Sequence, residues 1–261
     1  MLKYSLITGA SSGIGYELAS IMAKNGRSLI LVARSNDKLS TLKTEIEKNY
    51  KVQVEVICAD LSLPNSAQKL FQTVQEKKLK VDCLINNAGV GDYGPFINAD
   101  LTRLQSMIQL NITTLTDLTK LFLPQMIENK FGQIMNVAST ASFQPGPLMA
   151  VYYATKAYVL SLSEALYEEL RNTGVTITAL CPGPTESGFQ EAAQINNKIA
   201  LLNQMKIPTS KEVAEYGYQA MMRGQVVAVQ GFANKIASTS VRFFPRSIVR
   251  KLVMKLQETK K

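Results

Sequence analysis

The sequence contains no histidine among its 261 residues. This absence excludes a Ser-His-Asp triad and any zinc site that needs histidine, so proton transfer must use another side chain. Cysteine is also scarce, since Cys58, Cys83 and Cys181 lie far apart, each in or beside an apolar run. The spacing predicts small core residues in a reducing compartment, and neither a disulfide framework nor a metal site.

Long apolar stretches are missing as well. No run approaches the roughly 20 residues that a membrane-spanning helix needs, and the first ten residues show no apolar region of a signal peptide. With 46% hydrophobic residues, the chain can nevertheless build a sizeable core. We therefore expect a folded cytoplasmic protein, with contact at the inner face of the membrane as an option.

The positive charge is concentrated at one end of the chain. Residues 234–261 contain eight Lys or Arg and one Glu, a net charge of +7 out of +9 for the whole chain. Apolar residues interleave with these cations, which predicts a basic amphipathic helix. Such a helix can lie on an anionic membrane, or it can pack on the body or a second subunit, which is the interpretation we prefer. Nucleic acid is not expected, because aromatic residues are few and no nucleic-acid motif is present.

The stretch from Tyr4 to Gly26 reads as strand, glycine turn and helix. This arrangement places backbone N–H groups and the positive end of a helix dipole where a phosphate can bind. Gly9 permits the tight turn, Gly13 allows close approach of a pyrophosphate, and Gly15 lets the helix lie against the sheet. The residues predicted to form this part of the binding site are Gly9, Ser11, Ser12, Gly13, Ile14 and Gly15. The alternative is a plain structural turn.

A second apolar run, residues 28–32, is typical of a strand covered on both faces. A dinucleotide fold that prefers NAD usually has an acid just beyond this strand, but this chain has Arg34. A cation here suits a 2′-phosphate, so NADP (NADPH) is the predicted cofactor and NAD is less favoured. The alternative is an ordinary solvated arginine.

Strand and helix patterns alternate along the rest of the chain. This alternation predicts a single α/β domain with a Rossmann-type, doubly wound parallel sheet of about seven strands. We assign residues 1–233 to this domain, with a variable lid at about 185–208, and residues 234–261 to a helical extension. A continuous helix is expected from Asp100 to Glu128, with Pro124 kinking or ending it, and its wide apolar surface suggests a partner subunit.

The best acid/base candidate is a phenol beside an amine. Tyr152 and Lys156 are four residues apart on a predicted helix, so their side chains share one face. A nearby ammonium favours the phenolate, and we expect it to lower the pKa of Tyr152 toward neutrality. Ser139, at the end of a strand, can hydrogen-bond the same substrate oxygen. The alternative is that Tyr152 is an ordinary half-buried helix residue.

Taken together, the motifs resemble the short-chain dehydrogenase/reductase family over nearly the whole chain. The matching segments, in order, are TGASSGIG, the aspartate of CADL, NNAG, the asparagine of LNI, the serine of NVAST, YYATK and CPGPT. Residues after NNAG and in the basic tail further resemble a bacterial DltE-like subgroup. No metal site is part of this pattern.

The resemblance implies roles for individual residues. Tyr152 would be the general acid/base, Lys156 would lower its pKa and bind the nicotinamide ribose, Ser139 would polarise the carbonyl and Asn111 would hold a relay water. Tyr153 is a rival phenol that breaks the family pattern, so we rank it below Tyr152. The implied cofactor contacts are Asp60 at the adenine, Leu61, Asn87, Ala88 and Gly89 along the cofactor, and Pro182, Gly183 and Thr185 near the nicotinamide.

These expectations combine into one hypothesis and one alternative. The first is an NADP(H)-dependent oxidoreductase that interconverts a carbonyl and a secondary alcohol on an apolar substrate, assembled as a homodimer or homotetramer. Apolar residues of the lid region hint at such a substrate, although they could equally pack on the core: Phe189, Ile195, Leu201, Leu202 and Met205. The alternative is a dinucleotide-binding redox sensor or scaffold without turnover.

Overall fold

A computed structural model describes residues 2–193, 195 and 207–258. The centre of the fold is a parallel sheet. The strands are β1 (Lys3–Thr8), β2 (Ser28–Ala33), β3 (Val54–Cys58), β4 (Lys80–Asn86), β5 (Gly132–Val137), β6 (Val175–Cys181) and β7 (Val227–Val229). Their order across the sheet is β3-β2-β1-β4-β5-β6-β7, and every neighbouring pair is parallel. The predicted doubly wound α/β sheet is confirmed, and its order reverses between β1 and β4, where such sheets bind ligands.

Strand β2 shows why the sheet is covered on both faces. All six of its residues are buried, and their side chains point alternately to the two sides. Leu29 and Leu31 join one core cluster, whereas Ile30 and Val32 join the other. A continuous apolar run can be accommodated only by helices on both faces of the sheet.

The helices form the two outer layers. They are α1 (Gly13–Lys24), α2 (Asn36–Asn49), α3 (Ser66–Glu76), α4 (Leu101–Ile108), α5 (Leu115–Glu128), α6 (Ala150–Glu169), α7 (Phe189–Ala192), α8 (Ser210–Met222), α9 (Phe232–Ser240) and α10 (Arg246–Gln257). Leu18, Leu42 and Val213 place α1, α2 and α8 on one face of the sheet. Leu70 and Phe122 place α3 and α5 on the other.

The helix expected over residues 100–128 is interrupted. A π-helical turn, Gln109–Thr114, separates α4 from α5. Helix α5 continues through Pro124 to Glu128, so the proline does not end it. The π turn contains the predicted site residue Asn111, and such turns occur frequently at functional sites.

One smaller sequence expectation was wrong. Cys58 is exposed, because it ends the edge strand β3, and its thiol donates a hydrogen bond to the backbone oxygen of Arg34 at 3.2 Å. Cys83 and Cys181 are buried, as predicted. The N-cap of α8 is Thr209, because Thr209 and Glu212 form a reciprocal capping box.

The C-terminal extension is not one helix over residues 234–261. Helix α9 begins before it at Phe232, a short 3-10 turn covers Val241–Phe243, and α10 follows. Pro245 precedes the first residue of α10, and Phe244 before it is extended. A proline disfavours helical backbone in the residue before it, which explains the break.

Half of the predicted lid, residues 194 and 196–206, lies outside the described residues, and this part includes Leu201, Leu202 and Met205. The described part of this segment contains α7 and a single bridge between Glu186 and Thr209. Within the described part of the chain, no helix combines the length and the apolar character required to cross a membrane.

Candidate active site

One cavity of about 870 Å³ gathers almost all the predicted site residues. It extends from the glycine turn after β1, past the ends of β4 and β5, to α6 and the C-terminal helix α10. Gly15 and Asn111 are the predicted site residues that do not line it. Residues far apart in the sequence therefore meet at the switch point of the sheet.

The glycine turn has the backbone geometry that its sequence predicts. Gly9 and Gly13 have φ values of +66° and +58°, which glycine adopts without strain. A Cβ on Gly15 would lie 2.4 Å from the backbone oxygen of Gly9, so only glycine allows α1 to approach the turn this closely. The side chain of Ser12, the N-cap residue, makes no capping hydrogen bond. The first-turn N–H groups of α1 are thus available to an anion.

The far end of the cavity is basic. Arg34, Ser35 and Lys38 all line it, and Arg34 and Lys38 are exposed to solvent. Burial tends to raise the pKa of the Asp60 carboxyl, but hydrogen bonds from Ser62 and the charge of Arg34 outweigh it and lower the pKa. Sequence reasoning missed Lys38, although its position four residues after Arg34 was a usable signal.

Asn87 ties the end of β4 to the glycine turn. Its amide nitrogen Nδ2 donates to the backbone oxygens of Thr8 and Gly9, at 2.9 and 3.2 Å. The backbone N–H groups of Asn87 and Ala88 both donate to the Thr8 hydroxyl at 3.0 Å. These bonds fix the two loops that flank the switch point, and Thr8 is a further residue that sequence reasoning did not identify.

Ser139, Tyr152 and Lys156 converge at the other end of the cavity. Ser139 lies two residues after the end of β5 and is the N-cap of a 3-10 turn, where its hydroxyl accepts from the N–H of Ala141 at 3.1 Å. It also forms a hydrogen bond with the phenol of Tyr152. The ammonium nitrogen Nζ of Lys156 donates to the backbone oxygen of Val137 at 2.7 Å and lies 5.9 Å from the centre of the Tyr152 ring.

The electrostatics of this group differ from the sequence expectation. Burial raises the pKa of the Tyr152 phenol to about 12, although the hydrogen bond from Ser139 opposes the shift. Burial also lowers the pKa of the Lys156 ammonium to about 8. Desolvation disfavours the charged form of each group, and it is the largest cause of both shifts. The expected lowering of the tyrosine pKa toward neutrality is therefore wrong for this structure.

Asn111 lies behind this group and does not line the cavity. Its side chain bonds the backbone N–H and oxygen of Val90, at 3.1 and 2.9 Å, and donates to the hydroxyl of Thr155 at 3.0 Å. A Cβ built on Gly89 would lie 3.3 Å from both the Asn111 oxygen and the Lys156 nitrogen. Asn111 thus joins the loop after β4 to α6 next to the lysine, and its role with a relay water stays a prediction.

The rival phenol, Tyr153, has a different environment. Its hydroxyl accepts a hydrogen bond from the side chain of Gln257 at the end of α10, and Tyr93 donates to the backbone oxygen of Gln257. Val253, Leu256 and Gln257 also line the cavity. The C-terminal helix is therefore part of the site, which no sequence motif indicated.

The space beside Tyr152 is mainly apolar. The Tyr152 ring lies 5.2 Å from the Phe189 ring and 6.1 Å from the Tyr153 ring, measured between centres. Met149 and Ile195 pack in the same cluster and line the cavity. Of the apolar lid residues singled out in the sequence, Phe189 and Ile195 thus face the candidate site.

Comparison with known proteins places this geometry in a family. The sequence profile described as short chain dehydrogenase matches residues 3–198. Among curated proteins, the chain is 30% identical over 225 residues to hydroxysteroid dehydrogenase-like protein 1 of Gallus gallus, covering 84% of this chain and 65% of that protein. It is 33% identical over 184 residues to the very-long-chain 3-oxoacyl-CoA reductase of Homo sapiens, covering 69% and 58%. The chain therefore spans about 60% of the length of these relatives.

Solved structures match a larger part of this chain than the curated relatives do. A short-chain dehydrogenase from Sphingobium yanoikuyae in complex with NADPH has a TM-score of 0.84 and 29% identity, and the match covers 95% of both chains. A bulky-bulky ketone specific alcohol dehydrogenase from Comamonas testosteroni has a TM-score of 0.78 and 28% identity, covering 93% of this chain and 92% of the other.

Proposed function

The chain belongs to the short-chain dehydrogenase family, and we propose that it is an NADP(H)-dependent oxidoreductase that interconverts a carbonyl and a secondary alcohol on an apolar substrate. The observation that carries the proposal is the meeting of Ser139, Tyr152 and Lys156 in the same cavity as the glycine turn. A phosphate-binding turn and an acid/base group are both needed for this reaction, and one cavity contains them.

The residues present fit a dinucleotide. A side chain on Gly9 would lie 2.8 Å from the Asn87 amide, so glycine lets the turn lie close to the loop after β4. The first turn of α1 has no side-chain cap, which leaves N–H groups for a pyrophosphate. Gly9, Ser11, Ser12, Gly13 and Ile14 would hold the phosphates. Asp60, Leu61, Asn87, Ala88 and Gly89 would hold the adenosine and ribose parts, and Pro182, Gly183 and Thr185 the nicotinamide part.

NADP is proposed over NAD because of the charge at the far end of the cavity. Arg34 and Lys38 both line that end, and two cations favour a 2′-phosphate over a free 2′-hydroxyl. The structural relative from Sphingobium yanoikuyae contains NADPH, which supports the same choice.

Tyr152 is the proposed general acid/base. Bound NADPH supplies the hydride, and the carbonyl oxygen then needs a proton. With a pKa of about 12 the phenol is protonated at neutral pH, so it can donate that proton while Ser139 hydrogen-bonds the same oxygen. Lys156, with a pKa of about 8, is predominantly an ammonium at pH 7 and stabilises the phenolate that remains. In the oxidative direction the phenolate takes the proton back.

The apolar substrate is proposed from the cavity wall. Met149, Phe189 and Ile195 surround the space beside Tyr152. The relatives act on 3-oxoacyl-CoA or on bulky ketones according to their names, which is consistent with a large apolar group beside the reacting carbonyl. Cytoplasmic location, a dimer or tetramer and the DltE-like subgroup stay predictions.

Replacing the phenol tests the reaction. Tyr152→Phe should lower kcat for NADPH-dependent reduction of an apolar ketone by about 10²- to 10⁴-fold, because it removes the proton donor. NADPH binding, followed by fluorescence titration, should persist because the glycine turn is unchanged.

Tyr153→Phe is the matched control. It removes a neighbouring hydroxyl that bonds Gln257, and it should retain most of kcat. Equal turnover in Tyr152→Phe and the wild type would refute the assignment. Tight NADPH binding without turnover of any carbonyl in a broad panel would instead favour the sensor alternative.

A further inference from the structure

Helix α10 has an apolar side that faces the protein and a second that faces solvent. Val249, Val253 and Gln257, four residues apart, are 7%, 9% and 5% exposed. The outward stripe consists of Ile248, Leu252 and Leu256, also four residues apart, which are 53%, 55% and 41% exposed. One apolar side is enough to hold the helix on the protein, so the second needs another explanation.

The outward stripe is flanked by cations. At 100° per residue, Lys251 and Lys255 project beside the stripe on the side away from the buried residues, and both are exposed. Arg246 and Arg250 are exposed as well, and α10 contains no acid. Among the described residues, none of these four cations forms a salt bridge.

More exposed apolar side chains precede α10 in the chain. Phe232 and Ile236, one helical turn apart on α9, are 80% and 53% exposed, and Phe243 and Phe244 are 80% and 56% exposed. Isolated exposed apolar residues need no explanation, but this many within 25 residues is unusual. Apolar stripes bordered by Lys and Arg are typical of helices that lie in the plane of a membrane surface.

The stripe adjoins the active-site cavity. Leu256 both belongs to the stripe and lines the cavity, next to Val253 and Gln257. Hydrogen bonds from Tyr93 and to Tyr153 hold this end of α10 against the site. A surface that covers the stripe would therefore lie at the entrance to the space beside Tyr152.

We propose that the outward stripe of α10 docks on an anionic lipid surface and that the cavity receives its apolar substrate from that surface. The docking itself is independent of the reaction, whereas the second part rests on the proposed function. The apolar stripe would enter the boundary between headgroups and acyl chains, while the flanking cations bind the headgroups.

Charge decides between a membrane and a second copy of the chain. A two-fold contact through α10 would place the same surface on both sides of the interface, and residues 234–261 have a net charge of +7. The cations of the two copies would repel each other, whereas anionic headgroups attract them. Nucleic acid would use the cations but leave the apolar stripe without a partner.

Vesicle co-sedimentation of the full chain tests the docking. The protein should bind vesicles that contain phosphatidylglycerol, bind phosphatidylcholine vesicles weakly, and dissociate as salt is raised. The double variant Ile248→Glu/Leu252→Glu, called the stripe variant below, should partition into the vesicles more than about tenfold less than the wild type, because burial of two apolar side chains is lost. Lys251→Gln and Lys255→Gln should each lower it about fivefold.

Leu2→Glu is the matched control, because Leu2 is also 51% exposed but precedes β1, at the opposite end of the strands from the cavity. It should bind vesicles as the wild type does. Thermal melts and NADPH titration establish that each variant is folded. Unchanged binding in the stripe variant, or no binding to anionic vesicles by the wild type, would overturn the docking. The docking would also be overturned if sedimentation velocity showed that the wild type is a dimer and that the stripe variant is not.

The substrate route is tested by activity. Ile248→Glu/Leu252→Glu should reduce a long-chain ketone dissolved in anionic vesicles at least about tenfold more slowly than the wild type, in line with its lower partitioning. A short, water-soluble ketone should be reduced at an unchanged rate, because neither residue lines the cavity. Equal loss with both ketones would refute the route. Absence of all turnover would refute the proposed function, while the sedimentation result would still decide the docking.

Discussion

Lys156 is an ionisable side chain that is only 5% exposed. Its ammonium donates a hydrogen bond to the backbone oxygen of Val137, and burial lowers its pKa to about 8 from an ordinary value of 10.5. Burying this charge therefore destabilises the fold at neutral pH. A charge that is kept in spite of this cost is typical of functional sites.

The pH dependence of stability should reveal that cost. Between pH 8 and 10.5 the unfolded chain binds a proton at Lys156 that the folded chain has lost, so stability rises with pH over this window. The free energy of unfolding of the wild type relative to Lys156→Met should increase by on the order of 3 kcal/mol between these pH values. Urea titrations of both proteins at several pH values measure it. A constant difference would contradict a lowered lysine pKa.

Tyr152 shows what sequence reasoning can and cannot obtain for one residue. The four-residue spacing to Lys156 identified the pair, because helical geometry alone places both on one face. The direction of the tyrosine pKa shift was wrong, because desolvation depends on all the neighbouring atoms. Those neighbours include Phe189 and Tyr153, and only Tyr153 is close in the sequence.

Helix α10 shows a similar division at the scale of one element. The sequence predicted its amphipathic pattern and its charge, but it did not predict that the helix forms a wall of the cavity. Gln257 contacts Tyr153 across a separation of 104 residues. Helices α10 and α6 are therefore joined by a hydrogen bond that no local pattern specifies.

A double-mutant cycle should measure this bond. Tyr153→Phe and Gln257→Leu should show a coupling of about 0.5–1.5 kcal/mol in the free energy of unfolding, the usual net contribution of a hydrogen bond. Tyr158→Phe, whose hydroxyl bonds Thr116 instead, should show no coupling to Gln257→Leu. Additive effects of Tyr153→Phe and Gln257→Leu would mean that the bond does not contribute in solution.

At the scale of the whole molecule, the order of the strands determines where the site forms. Strands β1 and β4 are neighbours in the sheet although some 70 residues separate them. Their carboxyl ends bring together the glycine turn and Asn87, which bond each other directly. A cofactor bound across both loops would stabilise the folded state as a whole.

Ligand-linked stability should show this effect and report cofactor preference. At about 100 times its dissociation constant, NADPH should add about 2.7 kcal/mol and raise Tm by about 5–10 °C. At the same concentration NADH should raise Tm less, because Arg34 and Lys38 favour a 2′-phosphate. Arg34→Asp should remove most of the NADPH advantage, measured by differential scanning fluorimetry.

Arg223→Asp is the matched control, because Arg223 is exposed and does not line the cavity. It should preserve the difference between the two cofactors. If Arg34→Asp weakens NADPH and NADH equally, Arg34 does not recognise the 2′-phosphate.

The sequence by itself determined the features that depend on neighbours in the chain. The alternation of apolar runs and helix patterns indicated the parallel sheet, the glycines indicated the turn after β1, and four-residue spacing paired Tyr152 with Lys156. Short-range backbone geometry fixes each of these, so a local pattern is sufficient. The tertiary structure alone decided the direction of the Tyr152 pKa shift, the π turn at Asn111 and the position of α10 as a wall of the cavity. These depend on burial and on contacts between distant residues, which are sums over many atoms that no segment of the sequence specifies by itself.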